Sequence, residues 1–306
     1  MIDIEYKSLL KDLGKFSIYV NKDDKGISKT LYKYDFKSQW PREPEFMHLF
    51  HKKISKSTKI IDLGANIGYL TLYFKKVLGV KEKILAIEPD ITNFSFLKKN
   101  LELNRIENEV VYKNIAISNY DGFANLQLSG HSNLHKITSK KTSDKVICKK
   151  LTTLLLEESF QPDFIKMDVE GAEIEVVSGF REYIKQNKNK LSILFEVHPN
   201  DYSENRNFNE QLNFLFSNGF YTESLITAGT YFPQFFIERG YSSSISFKSG
   251  KFNRHIIDDV KNEDVINALN NQAYFKEKNN LSAIFKTLKL YSNSKKIVRG
   301  LLLTRP

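Results

Sequence analysis

The sequence predicts an α/β fold, a largely parallel sheet with helices on both faces. Three observations predict it. From residue 57 onward, short β-branched apolar runs alternate with stretches whose apolar residues recur at helical spacing. A glycine-bracketed turn, Asp62-Leu63-Gly64-Ala65-Asn66-Ile67-Gly68, joins the first such run to the first such helix. Several strand-like segments end in an acid, at Glu88, Asp168 and Glu196. In this fold ligands bind outside the carboxyl ends of the strands.

The elements follow in order. Residues 1–55 form a polar and aromatic lead-in, extended around Pro41 and Pro44, with a helix beginning near Glu45. Lys59-Ile60-Ile61 ends a buried strand, and Tyr69, Leu70, Leu72, Tyr73, Phe74 and Val77 give the helix after the turn. "KILAIEPD" (83–90) is a strand, "TNFSFLKKNLELN" (92–104) a helix and "EVVYKNIAIS" (109–118) a strand. "ANLQLS" alternates as a half-exposed strand does, and the Ser-, Lys- and Thr-rich residues 129–145 read as a loop. "DFIKMDVEGAEIEVVSGF" (163–180) is strand, turn and helix, and "LSILFEVHP" (191–199) is a strand. "FNEQLNFLFSNGF" (208–220) is a helix with a C-cap signal at Gly219, and "YTESLI" and "SSSISFK" are closing strands. The expected organisation is a lead-in at 1–55, a ligand-binding domain at 56–250 and a basic helical extension at 251–306.

Composition sets bounds. With 306 residues, 41% of them hydrophobic, a substantial core is affordable. Cys148 stands alone, so no intrachain disulfide or cysteine-built zinc site can form, and a reducing compartment is expected. The first residues, "MIDIEYKSLLKDLGKF", carry no apolar signal core, and no apolar run approaches the ~20 residues of a membrane span. The expectation is a soluble cytoplasmic protein. A net charge of +10 permits nucleic acid, anionic membrane or acidic glycan as partner, but Lys and Asn are abundant throughout, and excess charge bears on solubility first. The tail 281–306 has six cations and no acid, with Leu281, Ile284, Phe285 and Leu288 at helical spacing. That suits a helix packed on protein, or one lying on the inner face of a membrane.

The glycine turn makes a pocket, because helix amides face outward at its end. The dinucleotide pattern G-x-G-x-x-G is absent, and Asp62 replaces its first glycine. A carboxylate there repels a pyrophosphate and suits a cationic ligand such as the ammonium and sulfonium groups of S-adenosylmethionine. Glu88, at the next strand end, is placed to accept ribose hydroxyls. Asn114, Ile115, Ala116 and Ile117 border a third strand end, where an adenine could lie, though ordinary strand packing accounts for any one of them. Asp168 closes a strand with Lys166 on the same face. Glu170 and Glu173 open a helix, where negative charge is favoured on structural grounds alone. Glu196 and His198 share one face of a strand end, so His198 is a candidate general base, or equally a strand cap. Too few metal ligands stand at diagnostic spacing for a metal site to be assigned.

Asp62–Gly68, Glu88-Pro89, Ala116-Ile117-Ser118, "IKMDVEGAE" (165–173) and "LFEVHP" (194–199), in this order, resemble the FkbM family of S-adenosylmethionine-dependent methyltransferases over about residues 40–250. The resemblance implies the Rossmann-like class I methyltransferase fold, a seven-stranded sheet with one antiparallel strand, and O-methylation of a sugar or small-molecule hydroxyl. It implies that Asp62, Gly64, Ala65, Asn66 and Gly68 hold the methionine part of S-adenosylmethionine (as of the product S-adenosylhomocysteine). Glu88 with Pro89 would take the ribose, Asn114 to Ala116 the adenine, and Asp168 would lie beside the methyl donor. Glu45 is placed with the cofactor-binding residues, and Asp168, Glu170, Glu196 and His198 with the catalytic ones. Thr153, in "KLTTLLLEE", stands where the family often has an acid. The expected acceptor is a sugar or glycan. Methylation of RNA at the 2′-hydroxyl is the rival reaction, disfavoured because no basic-aromatic RNA-binding signature is visible. A non-catalytic adenosine-ligand scaffold is the rival class. A homo-oligomer is compatible with the sequence.

Overall fold

The structure, a computed structural model, describes residues 8–33, 42–127, 136–138, 145–229, 231–249, 252–269 and 297–306. The chain divides into two compact units, Met1–Trp40 with Lys53–Asn187, and Pro41–Lys52 with Lys188–Pro306.

The first unit is built on four parallel strands, β3 (Ile60–Leu63), β4 (Ile84–Ile87), β5 (Val110–Lys113) and β10 (Phe164–Met167), in the order β10-β3-β4-β5. Every residue of β3, β4 and β10 is buried, as expected of parallel strands covered on both faces. Helices Tyr69–Lys76, Ile91–Leu103 and Glu173–Gln186 follow β3, β4 and β10, so the predicted strand–helix rhythm is present. A smaller sheet, β6 (Ala116–Ser118), β7 (Gly122–Gln127), β8 (Lys136–Thr138) and β9 (Lys145–Lys150), has the order β6-β9-β7-β8. Gly179 packs it against the last helix, since a Cβ there would come 2.1 Å from Ser118 O.

Residues 8–33, within the lead-in, are ordered into regular elements. They form a hairpin, β1 (Ser8–Asp12) and β2 (Ser17–Asn21), and a helix, Ile27–Lys33. The hairpin docks on helix Ile91–Leu103 through side-chain amides. Asn100 accepts from Tyr19 N at 2.6 Å and donates to Tyr19 O at 3.0 Å and Ile67 O at 2.8 Å, while Asn104 Nδ2 donates to Ser17 O at 2.7 Å. Sequence periodicity cannot anticipate side chains that complete another strand's hydrogen bonding.

The second unit has five strands: β11 (Leu191–Glu196), β12 (Tyr221–Thr227), β13 (Ile245–Ser249), β14 (Phe252–Asp258) and β15 (Val298–Arg305). Their order is β13-β14-β12-β15-β11. β15 runs antiparallel to both β11 and β12, and β13 and β14 add a further antiparallel hairpin at the edge. The expected basic helical extension is helical only in part: Asn262–Leu269 is a helix. Residues 281–296 lie outside the described residues, but Val298–Arg305 is a strand inside a sheet. Its Val298, Leu301, Leu302 and Leu303 are fully buried, on either side of Arg299-Gly300. Arg299 and Arg305, counted among the tail's membrane-facing cations, are also enclosed: Arg305 donates to Asn189 O at 3.0 and 3.1 Å. β13 and β14, on either side of the expected boundary, pair with one another, and β15 joins the same sheet. Among the described residues no helix is long and apolar enough to cross a membrane.

Candidate active site

The glycine turn at the end of β3 is held by backbone and by two side chains from neighbouring strand ends. Gly64 and Ala65 both donate to Ile87 O, at 3.0 and 2.9 Å. Gly64 has φ +74°, and a Cβ on it would come 1.9 Å from Asp168 O, so only glycine fits. Asn66 takes a left-handed conformation, φ +51°, stabilised by its own Oδ1 accepting from Ile67 N at 2.8 Å. Gly68, at φ +90°, opens helix Tyr69–Lys76, and no side chain caps that helix.

Asp62 does not face open space as a partner for a cationic ligand. It is fully buried: Oδ2 accepts from Thr71 Oγ1 at 2.7 Å, and Oδ1 lies 3.2 Å from Lys166 Nζ. The Lys166 ammonium also donates to Leu63 O at 3.1 Å and Gly64 O at 2.7 Å, and stands 3.9 Å from Asp168 Oδ2. β10 pairs with β3 in the register Lys166↔Asp62, which puts the two charges side by side. The cation expected near Asp62 is therefore supplied by the protein. Lys166 was read from the sequence only as a neighbour of Asp168, because the register was not readable there.

Glu88, just beyond β4, is 5% exposed. Its Oε2 accepts from Asn66 N at 2.8 Å, and its Oε1 accepts from Asp90 N at 3.0 Å and Asn93 Nδ2 at 3.5 Å. Burial pushes its carboxyl up to about 7, against the pull of the Asp90 and Asn66 amides. Asn114 Nδ2 donates to Glu88 O at 2.9 Å and Pro89 O at 2.8 Å, tying the third strand end to the second. Ile115 and Ala116 are buried beyond it. Asp62, Gly64, Ala65, Asn66, Gly68, Glu88, Pro89 and Asn114 are thus joined by one hydrogen-bonded frame at the carboxyl ends of β3, β4 and β5.

Asp168 sits at the end of β10, its amide donating to Leu63 O at 3.2 Å and its side chain 31% exposed. Glu170 and Gly171 both have positive φ, +50° and +94°, and carry the chain into helix Glu173–Gln186. Glu173 is fully buried and its Oε1 accepts from Gly171 N at 3.1 Å, so this glutamate is structural.

Glu45, Glu196 and His198 belong to the second unit. Glu196 ends β11, and His198 follows, half-buried. Glu45 is fully buried; its Oε1 accepts from Arg299 Nη1 at 2.7 Å, and burial pushes its carboxyl up. Arg299 also donates to Glu43, and through Nε to Glu196 Oε1 at 3.3 Å. Arg42 lies 3.2 Å from Glu43 and Arg254 4.0 Å from Glu45, so three guanidiniums face three carboxylates. Sequence reasoning singled out neither Arg254 nor the pairing role of Arg299. The only signal was a cation in an apolar run, "IVRGLLL".

Comparison with known proteins bears on this frame. The model of the methyltransferase FkbM domain matches residues 62–221. Among curated proteins, Methyltransferase sdnD of Sordaria araneosa is 32% identical over 40% of this chain and 60% of its own length. Methyltransferase 1 of Beauveria bassiana (strain ARSEF 2860) is 29% identical over 39% and 57%. The chain thus spans less than two thirds of the curated relatives it matches. Among solved structures, methyltransferase FkbM from Methylobacillus flagellatus KT matches at 23% identity and a TM-score of 0.34, covering 46% of this chain and 33% of that one. M. jannaschii TYW2 in complex with AdoMet matches at 13% and 0.38, covering 83% and 87%. The match to the family model begins at Asp62, takes in the whole glycine turn, Glu88, Asp168 and His198, and covers more than half of the residues. The chain belongs to the FkbM methyltransferase family.

Proposed function

We propose that the protein is an S-adenosylmethionine-dependent O-methyltransferase whose acceptor is a hydroxyl of a sugar or glycan. Family membership supports the cofactor and the reaction class. One observation carries the cofactor reading: the Glu88 carboxylate is fixed on the amide of left-handed Asn66, beside the uncapped helix that starts at Gly68. That donor set fits the cofactor. Glu88 has acceptor capacity beyond its three present donors for ribose hydroxyls. The positive end of the helix that starts at Gly68 favours the cofactor's carboxylate.

Bound S-adenosylmethionine supplies an electrophilic methyl group. The chain's own tasks are then to align the acceptor oxygen with it, exclude water and take up the hydroxyl proton. We assign the proton to His198, with Asp168 and Glu196 as the acids around the reacting groups. An alcohol is a poor nucleophile until its proton is leaving, and a positioned base contributes ~10²–10⁴-fold in rate. An uncharged acceptor suits the reading, since the charged groups named so far are largely matched within each unit. Contact of residues 281–296 with an anionic membrane, where a lipid-linked glycan would be presented, is a further part of the proposal.

The experiment is methyl transfer from radiolabelled S-adenosylmethionine to a panel of glycosides and to structured RNA. The expected result is label on glycosides and none on RNA. His198→Ala should lower kcat by ~10²–10⁴-fold and remove the ascending limb of its pH profile. Label on RNA alone, or unchanged turnover in His198→Ala, would overturn the substrate or the base, respectively.

A further inference from the structure

We propose that Arg299 is a positioning residue for the reaction: its guanidinium, shared among Glu43, Glu45 and Glu196, fixes the end of β11 from which His198 follows. The inference rests on the reading of His198 as proton acceptor.

Two independent links join Arg299 to that strand end. β15 pairs with β11 in the register Glu196↔Gly300, and one step further Val197 N donates to Arg299 O at 2.9 Å. The side chain then returns to the same place, with Nε 3.3 Å from Glu196 Oε1. Its other nitrogens are occupied by helix Pro44–Lys53 and the residue before it, Nη1 with Glu45 at 2.7 Å and Nη2 with Glu43. The guanidinium is 11% exposed. A planar fork with fixed donor directions, engaged on three sides, cannot turn without breaking a charged bond.

Stability alone is a poor explanation for this arrangement. Burying ions costs about as much as their pairing returns, and apolar residues of similar volume hold elements together at least as well. What the fork adds is orientation. Glu196 cannot swing toward other partners while Nε holds it. Val197 is fully buried, Pro199 is buried, and Asp201 N donates to His198 O at 2.9 Å. His198 therefore stands between fixed neighbours, and the acid two residues before it has its direction set by Arg299. The carboxylates hold the guanidinium proton firmly against the opposing effect of burial, so the fork is charged throughout the working pH range. Arg254 and Glu45 complete the set: Arg254 Nε lies 4.0 Å from Glu45 Oε1, the oxygen that accepts from Arg299, while Glu45 Oε2 is buried without a hydrogen-bond partner among the described residues.

The test uses the full chain labelled with ¹³C-histidine, as wild type, Arg299→Lys, Arg299→Gln and Glu196→Gln. The His198 ε1 signal is identified by its loss in His198→Gln. S-adenosylhomocysteine titration is measured on each protein. The expected result is one sharp His198 signal in wild type, a shifted or split signal in Arg299→Gln and Glu196→Gln, and partial return in Arg299→Lys. S-adenosylhomocysteine affinity should stay within about twofold in both Arg299 variants. An unmoved His198 signal in a folded Arg299→Gln protein would overturn the proposal and leave Arg299 a structural residue. If Arg299→Gln does not fold, unmoved signals in both Arg299→Lys and Glu196→Gln would overturn it equally. Failure of wild type to bind S-adenosylhomocysteine would sink the proposed function, while the histidine spectra would still decide the positioning.

Discussion

The backbone of Asp168 occupies the space a side chain at position 64 would need: a Cβ on Gly64 would lie 1.9 Å from the Asp168 carbonyl oxygen. Backbone cannot step aside as a flexible side chain can. Gly64→Ala should therefore cost at least ~3 kcal/mol, from the clash and the left-handed φ together, and abolish cofactor binding. Gly68→Ala meets only Leu97 Cδ1, at 2.8 Å, so ~1–2 kcal/mol is expected. Gly14→Ala, at φ +83° with open space, isolates the conformational cost at about 1 kcal/mol. Chemical denaturation of the three variants gives the ranking, and an unaffected Gly64→Ala protein would contradict the packing.

Glu88 should couple cofactor binding to protons. Burial raises its carboxyl to about 7, whereas ribose hydroxyls donate more strongly to the ionised form, which accepts on both oxygens. S-adenosylhomocysteine affinity should rise from pH 5.5 to 8, with protons released near pH 7, as read by calorimetry in buffers of different ionisation enthalpy. The stability of the free protein should move the other way. Its Glu88 stays protonated to higher pH than in the unfolded chain, so this contribution is intact below about pH 4.5 and lost as pH rises through about 7, by up to roughly 3 kcal/mol. Glu88→Gln should flatten both profiles. A pH-independent affinity in wild type would show that the carboxylate does not meet the cofactor.

Lys166 and Asp62 should behave as a buried pair. Lys166→Met removes the buried ammonium beside Asp62, whose Oδ2 keeps Thr71 as hydrogen-bond donor, a loss of ~3–5 kcal/mol. Adding Asp62→Asn to Lys166→Met should recover much of that, and a double-mutant cycle measures the coupling. Additive losses would mean that the ammonium works through the Leu63 and Gly64 carbonyls instead.

Leu302 is fully buried in β15, paired to Leu194 on one side and to Ser224 on the other. Leu302→Ala should cost ~2–5 kcal/mol, the range for a core truncation. Urea unfolding should show the loss, whereas a surface membrane helix at 298–305 would tolerate the change.

The first unit was largely legible because its order is local. Ile60–Leu63 and Ile84–Ile87 are buried apolar runs of strand length, each followed by helically spaced residues within a few positions. Gly64 and Gly68 were readable because their left-handed backbone leaves few alternatives to glycine. What the sequence concealed depends on distant register. Lys166 meets Asp62 across 104 residues, Asn100 meets Tyr19 across 81, and Arg299 meets Glu45 across 254. Leu301–Leu303 reads equally as strand or helix in isolation, and only pairing with β11 and β12 decides it.

The chain order of the second unit also has a consequence for its birth on the ribosome. β15, which separates β11 from β12 in the finished sheet, is the last strand of this sequence to be translated. Until it emerges, two long apolar strands face each other across an empty slot with their amide and carbonyl edges open. Nascent chains are therefore exposed to mispairing and to capture by chaperones for as long as that slot stays unfilled. Ribosomes stalled before residue 298 should carry a protease-resistant first unit and a protease-sensitive second one.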